Sequence, residues 1–275
     1  MSSNQIPQAP DIAFVPTMGA LHDGHLELIK AARKLSDTVV VSIFVNPLQF
    51  DNKEDLAKYP RDLEGDKAKA LQAGASYVWA PTFEEIYPES SSAQSGDGIA
   101  RLSAGALGSL FEGASRPGHF DGMLTVVHRL FETVRPKYAI FGEKDLQQLH
   151  IVKNWVRQSG YPVEIIAVPI IREPDGLAMS SRNVRLSPSG RVAAVVLSRA
   201  LATGDRAMMH HVLANETEFT LDYAEIIDPE SFQIATPATK EPYAIVAGWI
   251  NGVRLIDNMR VPALLTQALT EEKES

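Results

Sequence analysis

The sequence predicts an α/β fold: a parallel sheet wound by helices on both faces, with a second, smaller α+β domain at the C-terminal end. Three observations predict it. Short, β-branched, nearly continuous apolar runs recur through the first 172 residues, as strands covered on both faces should. Stretches with helical periodicity lie between them. After about Arg172 the pattern changes, and Asn251-Gly252 separates two strand-like runs, a strong hairpin signal.

The strand-like runs are residues 12–15, 39–45, 77–80, 138–141 and 163–168, and the helical stretches are 22–35, 62–73, 119–134 and 145–159. Their β-α-β-α order predicts a doubly wound, Rossmann-like sheet with right-handed crossovers. In the second section, Ser187 reads as an N-cap and Pro188 as a first helical residue, opening a helix to about Ala202. Strands are expected at 221–227, 244–250 and 253–256. Residues 203–218 carry no decisive pattern, and the serine-rich stretch 89–98, ESSSAQSGDG, reads as a mobile surface loop.

Composition excludes several function classes. The chain of 275 residues can bury a sizeable core without staples. It has no cysteine, which removes disulfides, thiolate zinc sites, iron–sulfur clusters and a cysteine nucleophile, and suits a reducing cytoplasm. A formal net charge of −8 argues against a broad nucleic-acid-binding surface. No run approaches the ~20 apolar residues of a membrane span, and the polar N-terminus MSSNQIPQAPD predicts no signal peptide.

Five segments carry side chains suited to chemistry. In residues 14–29, FVPTMGALHDGHLELI, a strand ends in a turn and a helix opens near His22. Free N–H groups at such a helix start favour phosphate. His22 and His25, three apart, share a face and can donate to a triphosphate as charge moves onto the leaving group. An isolated HxxH is more often two polar residues of a first turn, and without a Glu after the first His it is no zinc-protease motif. In residues 141–149, FGEKDLQQL, Lys144 suits a phosphate, Asp145 ribose hydroxyls and Gln148 a polar substrate group; a capped, solvated helix start is the plainer reading. In residues 171–185, IREPDGLAMSSRNVR, a Pro-Asp-Gly turn precedes Ser180, Ser181 and Arg182, two hydroxyls and a guanidinium that suit an oxyanion, or else form a surface loop. In residues 44–50, FVNPLQF, Asn46 and Gln49 stand among apolar residues, a mixture that suits a small, partly aliphatic acid or a polar turn stopped by Pro47. Tyr59, Arg61 and Asp66 follow, as helix-start residues or substrate contacts. Residues 112–122, EGASRPGHFDG, place Arg116 and His119 in a gate over a site or in a linker.

Each signal is weak alone, but the order PTMGALHDGH, FVNPLQF, YPR, RPGHF, FGEKDLQQL, EPDGLAMSSRN resembles the pantoate–β-alanine ligase family, within the HxGH-type nucleotidyltransferase superfamily of adenylate-forming enzymes. The resemblance runs from about Phe14 to Arg185 and resumes at LDYAEIID and VRLIDN. It implies an ATP- and magnesium-dependent condensation of D-pantoate with β-alanine through pantoyl adenylate, releasing AMP and pyrophosphate. It implies His22, His25, Lys144, Ser180 and Arg182 as catalytic. It implies Met18, His25, Gly142, Lys144, Asp145, Ile171, Met179, Ser180, Ser181 and Arg182 at ATP. For pantoate it implies Gln49, Gln148, Met18 and Asn46, and for magnesium or its water shell, Asp66. It further implies a cytoplasmic homodimer, with an ATP- and pantoate-binding domain over residues 1–172 and a domain over 173–275 that closes over the site. Residues 89–98 are more serine-rich, and 203–220 shorter, than the family pattern. A nucleotidylyltransferase that stops at an adenylated product and a non-catalytic nucleotide-binding module are the alternatives; β-alanine-dependent release of AMP separates them.

Overall fold

The computed structural model describes residues 6–7, 9–90 and 98–261; most of the expected serine-rich loop, 91–97, lies outside the described residues. The chain divides into two compact units, Met1–Glu143 with Gln148–Pro169, and Lys144–Gln147 with Ile170–Ser275.

The first unit is built on β1 (Ile12–Thr17), α1 (Asp23–Leu35), β2 (Thr38–Ile43), α2 (Lys53–Lys58), α3 (Leu63–Gln72), β3 (Tyr77–Trp79), α4 (Phe83–Ile86), α5 (Glu112–Ser115), α6 (His119–Val134), β4 (Tyr138–Gly142), α7 (Leu146–Ser159) and β5 (Glu164–Val168). The first residues of α7 count with the second unit. The strands form one sheet in the order β3-β2-β1-β4-β5, every neighbouring pair parallel. Alternation along residues 12–15 of β1 explains their unbroken apolar character. Ile12 and Phe14 belong to a cluster with Met123, Leu124 and Phe131 of α6, while Ala13 and Val15 belong to another with Ile29 and Ala32 of α1 and Ala70 of α3. Phe14 meets Phe131 edge-on at 6.3 Å. With both faces covered, no strand position along this run is left for a polar side chain.

From β1 the chain proceeds to β2 and β3 on one side, and from β4 to β5 on the other. The carboxyl ends of β1 and β4 therefore flank the point where the winding reverses, the usual ligand crevice of open α/β sheets. The short helices α2, α4 and α5 are additions to the expected elements. Two of them carry readable starts: Asn52 caps Glu54 N–H at 2.7 Å, and Thr82 and Glu85 form a reciprocal capping box.

The second unit contains α8 (Pro188–Ala193), α9 (Val196–Leu201), α10 (Arg206–Ala214), β6 (Phe219–Ile227), β7 (Tyr243–Ile250) and β8 (Val253–Arg260), the strands forming an antiparallel sheet in the order β6-β7-β8. Its core joins Leu197 and Leu201 of α9, Met209 and Leu213 of α10, and Val246 and Leu255 of the sheet. The single helix expected to about Ala202 is two. At the junction Val195 N–H and Leu197 N–H bond three residues back, to Val192 and Ala194, tightening the turn within a valine-rich stretch whose β-branched side chains disfavour a regular helix. The undecided span 203–218 holds α10, capped by Asp205 on Met208 N–H at 2.7 Å. The hairpin formed as expected: Ile250 pairs with Val253 across Asn251 and Gly252, which take φ of 49° and 73°, the left-handed pair that a type I′ turn needs.

Candidate active site

In the first unit the turn after β1 is held from three sides. Thr17 Oγ1 donates to the Ser42 carbonyl at 2.7 Å and accepts from Gly19 N–H at 3.2 Å. Gly19 and Ala20 both have positive φ, 80° and 52°, a strained state for alanine. Asp66 of α3 holds that conformation: its two oxygens accept from Ala20 N–H and Leu21 N–H, each at 2.7 Å, and the residue is 2% exposed. One turn along α3, Lys69 Nζ donates to the Leu21 carbonyl at 2.9 Å. The peptide chain thus enters α1 at a set angle, with His22 as its extended N-cap residue.

His22 and His25 do share a face, their ring centroids 4.1 Å apart. His25 Nδ1 accepts from His22 N–H at 3.3 Å, which places the neutral ring's proton on Nε2 and makes that atom a donor.

The segment after β2 forms a buried polar chain. Tyr87 OH donates to Asn46 Oδ1 at 3.0 Å, Asn46 Nδ2 donates to Gln49 Oε1 at 3.1 Å, and Gln49 Nε2 contacts Met18 Sδ at 3.1 Å. Burial pushes the Tyr87 phenol far above its ordinary range, so it remains a donor. Asn46 Oδ1 also accepts from Leu48 N–H at 3.3 Å, and Asn46 Nδ2 donates to the Gly122 carbonyl at 3.1 Å. These contacts settle the amide orientations: Gln49 offers Nε2 as its donor, the polarity that a carboxylic-acid substrate requires. Met18, Asn46 and Gln49, expected around one small acid, are therefore in contact. Gly142, ending β4, and Gln148, on α7, also lie in this unit.

In the second unit, Lys144 lies in the 3-10 turn Glu143–Asp145 after β4, and its carbonyl accepts from Asn258 Nδ2 of β8 at 3.0 Å. Asp145 is exposed and Gln147 buried. Residues 171–179 form a small hairpin: Met179 N–H bonds the Ile171 carbonyl at 3.0 Å and Glu173 N–H the Leu177 carbonyl at 2.8 Å. Arg172 braces it with four hydrogen bonds, to both oxygens of Asp257 (2.7 and 3.0 Å) and to the carbonyls of Gly176 and Asn258 (3.0 Å each). Burial pushes the Asp257 carboxyl up, while the Arg172 guanidinium pulls it back.

Beyond the hairpin, Asn183 Nδ2 bonds the Ala178 carbonyl at 3.1 Å and Glu173 Oε1 at 3.2 Å, and Ser180 Oγ accepts from Arg182 N–H at 3.3 Å. Arg191 donates to Asp175 at 2.7 Å, and this bond first of all holds the Asp175 carboxyl below its usual range. Ser180, Ser181 and Arg182 are partly exposed on a loop with both ends fastened. Ile171, Met179, Ser180, Ser181 and Arg182 thus stand in one braced segment of the second unit.

The residues that sequence reading passed over are those that hold others: Lys69, Tyr87, Arg172, Asp257 and Asn258. Asp257 and Asn258 had a signal in the VRLIDN run, and Arg172 lay in the singled-out segment 171–185 without a role of its own.

The parallel sheet, wound so that β1 and β4 flank its switch point, and the small antiparallel sheet of the second unit define the class: a two-unit α/β protein of the doubly wound kind. Comparison with known proteins then fixes the family. The model of the pantoate–β-alanine ligase family matches residues 2–260. A pantothenate synthetase of Leifsonia xyli is 47% identical over 264 residues, 92% of this chain and 90% of that protein. The crystal structure of a Thermus thermophilus pantothenate synthetase superposes with a TM-score of 0.87 at 46% identity, covering 94% of this chain and 96% of that one. A Francisella tularensis pantoate–β-alanine ligase, solved in complex with β,γ-ATP and β-alanine, superposes with a TM-score of 0.78 at 34% identity, over 94% of this chain and 92% of that one. The chain belongs to the pantoate–β-alanine ligase family and is an enzyme of that class.

Proposed function

We propose that the protein joins D-pantoate to β-alanine in two steps at the expense of ATP. A pantoate carboxylate oxygen attacks the α-phosphorus of ATP, the bond to the β-phosphate oxygen breaks, and pyrophosphate leaves. The β-alanine amine then attacks the acyl carbon of pantoyl adenylate, its nitrogen loses a proton, and AMP leaves with pantothenate as product. No enzyme nucleophile is needed, so the protein's part is positioning and charge stabilisation.

The observation that carries this reading is the arrangement of residues 18–25. A strained turn ends in a histidine pair whose His25 presents an Nε2 donor at a helix start, and Met18 of the same turn lies against an amide, Gln49, oriented to donate. In this reading His22 and His25 donate to the triphosphate. Lys144, Ser180, Ser181 and Arg182 hold the phosphates and the forming adenylate. Asp145 takes the ribose, the backbone of Gly142 and Ile171 serves the nucleoside, and Met179 also contacts ATP. Gln49, Gln148, Asn46 and Met18 receive pantoate. The complex named for the Francisella relative supports ATP and β-alanine as ligands of this class.

Magnesium enters this reading as part of the nucleotide substrate. Among the described residues no three His, Asp or Glu side chains stand together as a cation cage. Asp66, expected near the metal, is buried with both oxygens on backbone N–H groups, so it fits a clamp better than a ligand. A magnesium ion that keeps its waters and binds mainly substrate phosphates needs no such cage. We place the enzyme in the cytoplasm as a homodimer; the cysteine-free composition and the family resemblance support this. No described helix is long and apolar enough to cross a membrane.

The test is a product analysis with ATP, magnesium and pantoate carrying 18O in its carboxylate, with and without β-alanine. The expected result is pantothenate, pyrophosphate and AMP bearing one labelled oxygen, with sustained turnover only when β-alanine is present. ADP and phosphate as products would refute the adenylate route, and absence of pantothenate would refute the function.

A further inference from the structure

We propose that His119, locked by Arg116, is a positioning residue for Gln49 and thereby sets the affinity for the acid substrate. The proposal rests on the reading of Gln49 as a pantoate-binding residue. Gln49 is the last residue of a 3-10 turn, Pro47–Gln49, and its backbone carbonyl is gripped twice: by His119 Nδ1 at 2.7 Å and by Arg116 Nη2 at 3.3 Å. Arg116 also points Nη1 at His119 Nε2, 3.2 Å away. A guanidinium only donates, so Nε2 accepts, the ring is neutral and Nδ1 carries the proton that the Gln49 carbonyl receives. Arg116 is itself aimed, with Nε on Asp51 at 3.1 Å and Nη1 3.9 Å from the Glu112 carboxylate.

The same peptide is pressed against α6. A Cβ at Gly122 would stand 2.1 Å from the Leu48 carbonyl oxygen and 2.9 Å from Gln49 N, so the helix touches the turn backbone to backbone. Gln49 is thus pinned at both ends: His119 and Arg116 hold its main chain, and Asn46 and Met18 hold its amide. An amide meant to meet a small carboxylate within hydrogen-bond range gains from such fixation, because a shift near 1 Å costs up to about a hundredfold in a reacting complex. His119 does not touch the acid in this scheme; it acts through Gln49.

The test compares His119→Ala, His119→Asn and His119→Gln with Gln49→Ala and the double variant His119→Ala/Gln49→Ala. The asparagine amide nitrogen falls near the position of Nδ1, whereas that of glutamine falls near Nε2. His119→Ala should raise KM for pantoate roughly tenfold or more, leaving KM for ATP within about twofold. His119→Asn should restore most of the loss and His119→Gln should not, a contrast that also serves if the alanine variant does not fold. In the Gln49→Ala background the alanine change at 119 should add little. An unchanged pantoate KM in His119→Ala and His119→Gln, with a raised one in Gln49→Ala, would overturn the role of His119 alone. Equal changes in KM for both substrates, or equal behaviour of the Asn and Gln variants, would do the same. An unchanged pantoate KM in Gln49→Ala would overturn the reading of Gln49, and the role of His119 with it.

Discussion

Two of the side chains that the proposed function places at the substrates, His25 and Gln49, are given their chemical form by a neighbour. His25 owes its Nε2 proton to the backbone N–H that occupies Nδ1, and Gln49 owes the direction of its amide to Asn46, which owes its own to Tyr87. The sequence singled these residue types out because phosphate and carboxylate recognition draw on a short list of donors, and their roles stand as proposed above. The tautomers and amide orientations could not, since they depend on partners such as Tyr87, 41 residues from Asn46. If these assignments hold, replacing His25 or Lys144 with Ala removes a donor to charge that develops on the triphosphate. Turnover should fall at least ~100-fold in each, with the melting temperature within a few degrees of wild type. Steady-state rates of pyrophosphate release check this, and near-normal rates in both variants would contradict the assigned roles.

At the scale of elements, long periodic stretches were legible and short ones were not. The strands of the parallel sheet and the helices α1, α3, α6 and α7 fall within a few residues of their expected bounds, because burial on both faces of the sheet leaves an unbroken apolar record. The helices α2, α4 and α5 are too short to show a period, and α10 lies in a span of mixed polarity. The tension in the turn after β1 was invisible as well: Ala20 looks like an ordinary small residue until its φ of 52° is known.

Asp66 is what makes that turn tenable. Removing it strands two backbone donors, Ala20 N–H and Leu21 N–H, that it now satisfies at 2.7 Å each. Asp66→Ala should therefore lower stability by about 2–4 kcal/mol, at roughly 1–2 kcal/mol for each abandoned N–H. Denaturant unfolding checks the value. A loss below about 1 kcal/mol would mean that water or another group satisfies those amides.

For the molecule as a whole, the fold class was legible and the long-range polar contacts were not. The parallel sheet, the small antiparallel sheet and the Asn251-Gly252 hairpin each follow from local pattern. The contacts that hold the second unit's functional segments do not: Asp257 meets Arg172 85 residues earlier, and Asn258 meets the Lys144 carbonyl 114 residues earlier. Two adjacent residues of the last described strand thus fasten both the hairpin that leads to Ser180–Arg182 and the segment that carries Lys144. Asp257 is 4% exposed, and its partner binds it through two nitrogens. Deleting Asp257 leaves the Arg172 guanidinium, whose side chain is 23% exposed, without its counter-ion, at a cost toward the lower end of the about 3–5 kcal/mol of a fully buried pair. Replacing both by apolar residues of similar volume removes that penalty. Asp257→Ala should accordingly be strongly destabilised in denaturant unfolding, and Arg172→Met/Asp257→Leu should regain at least about half of the loss. The double variant should nonetheless remain impaired in turnover, because Arg172 also bonds the Gly176 and Asn258 carbonyls, which no apolar side chain replaces. Full activity in the stabilised double variant would show that the ion pair supports the fold alone and does not set the loop that precedes Ser180.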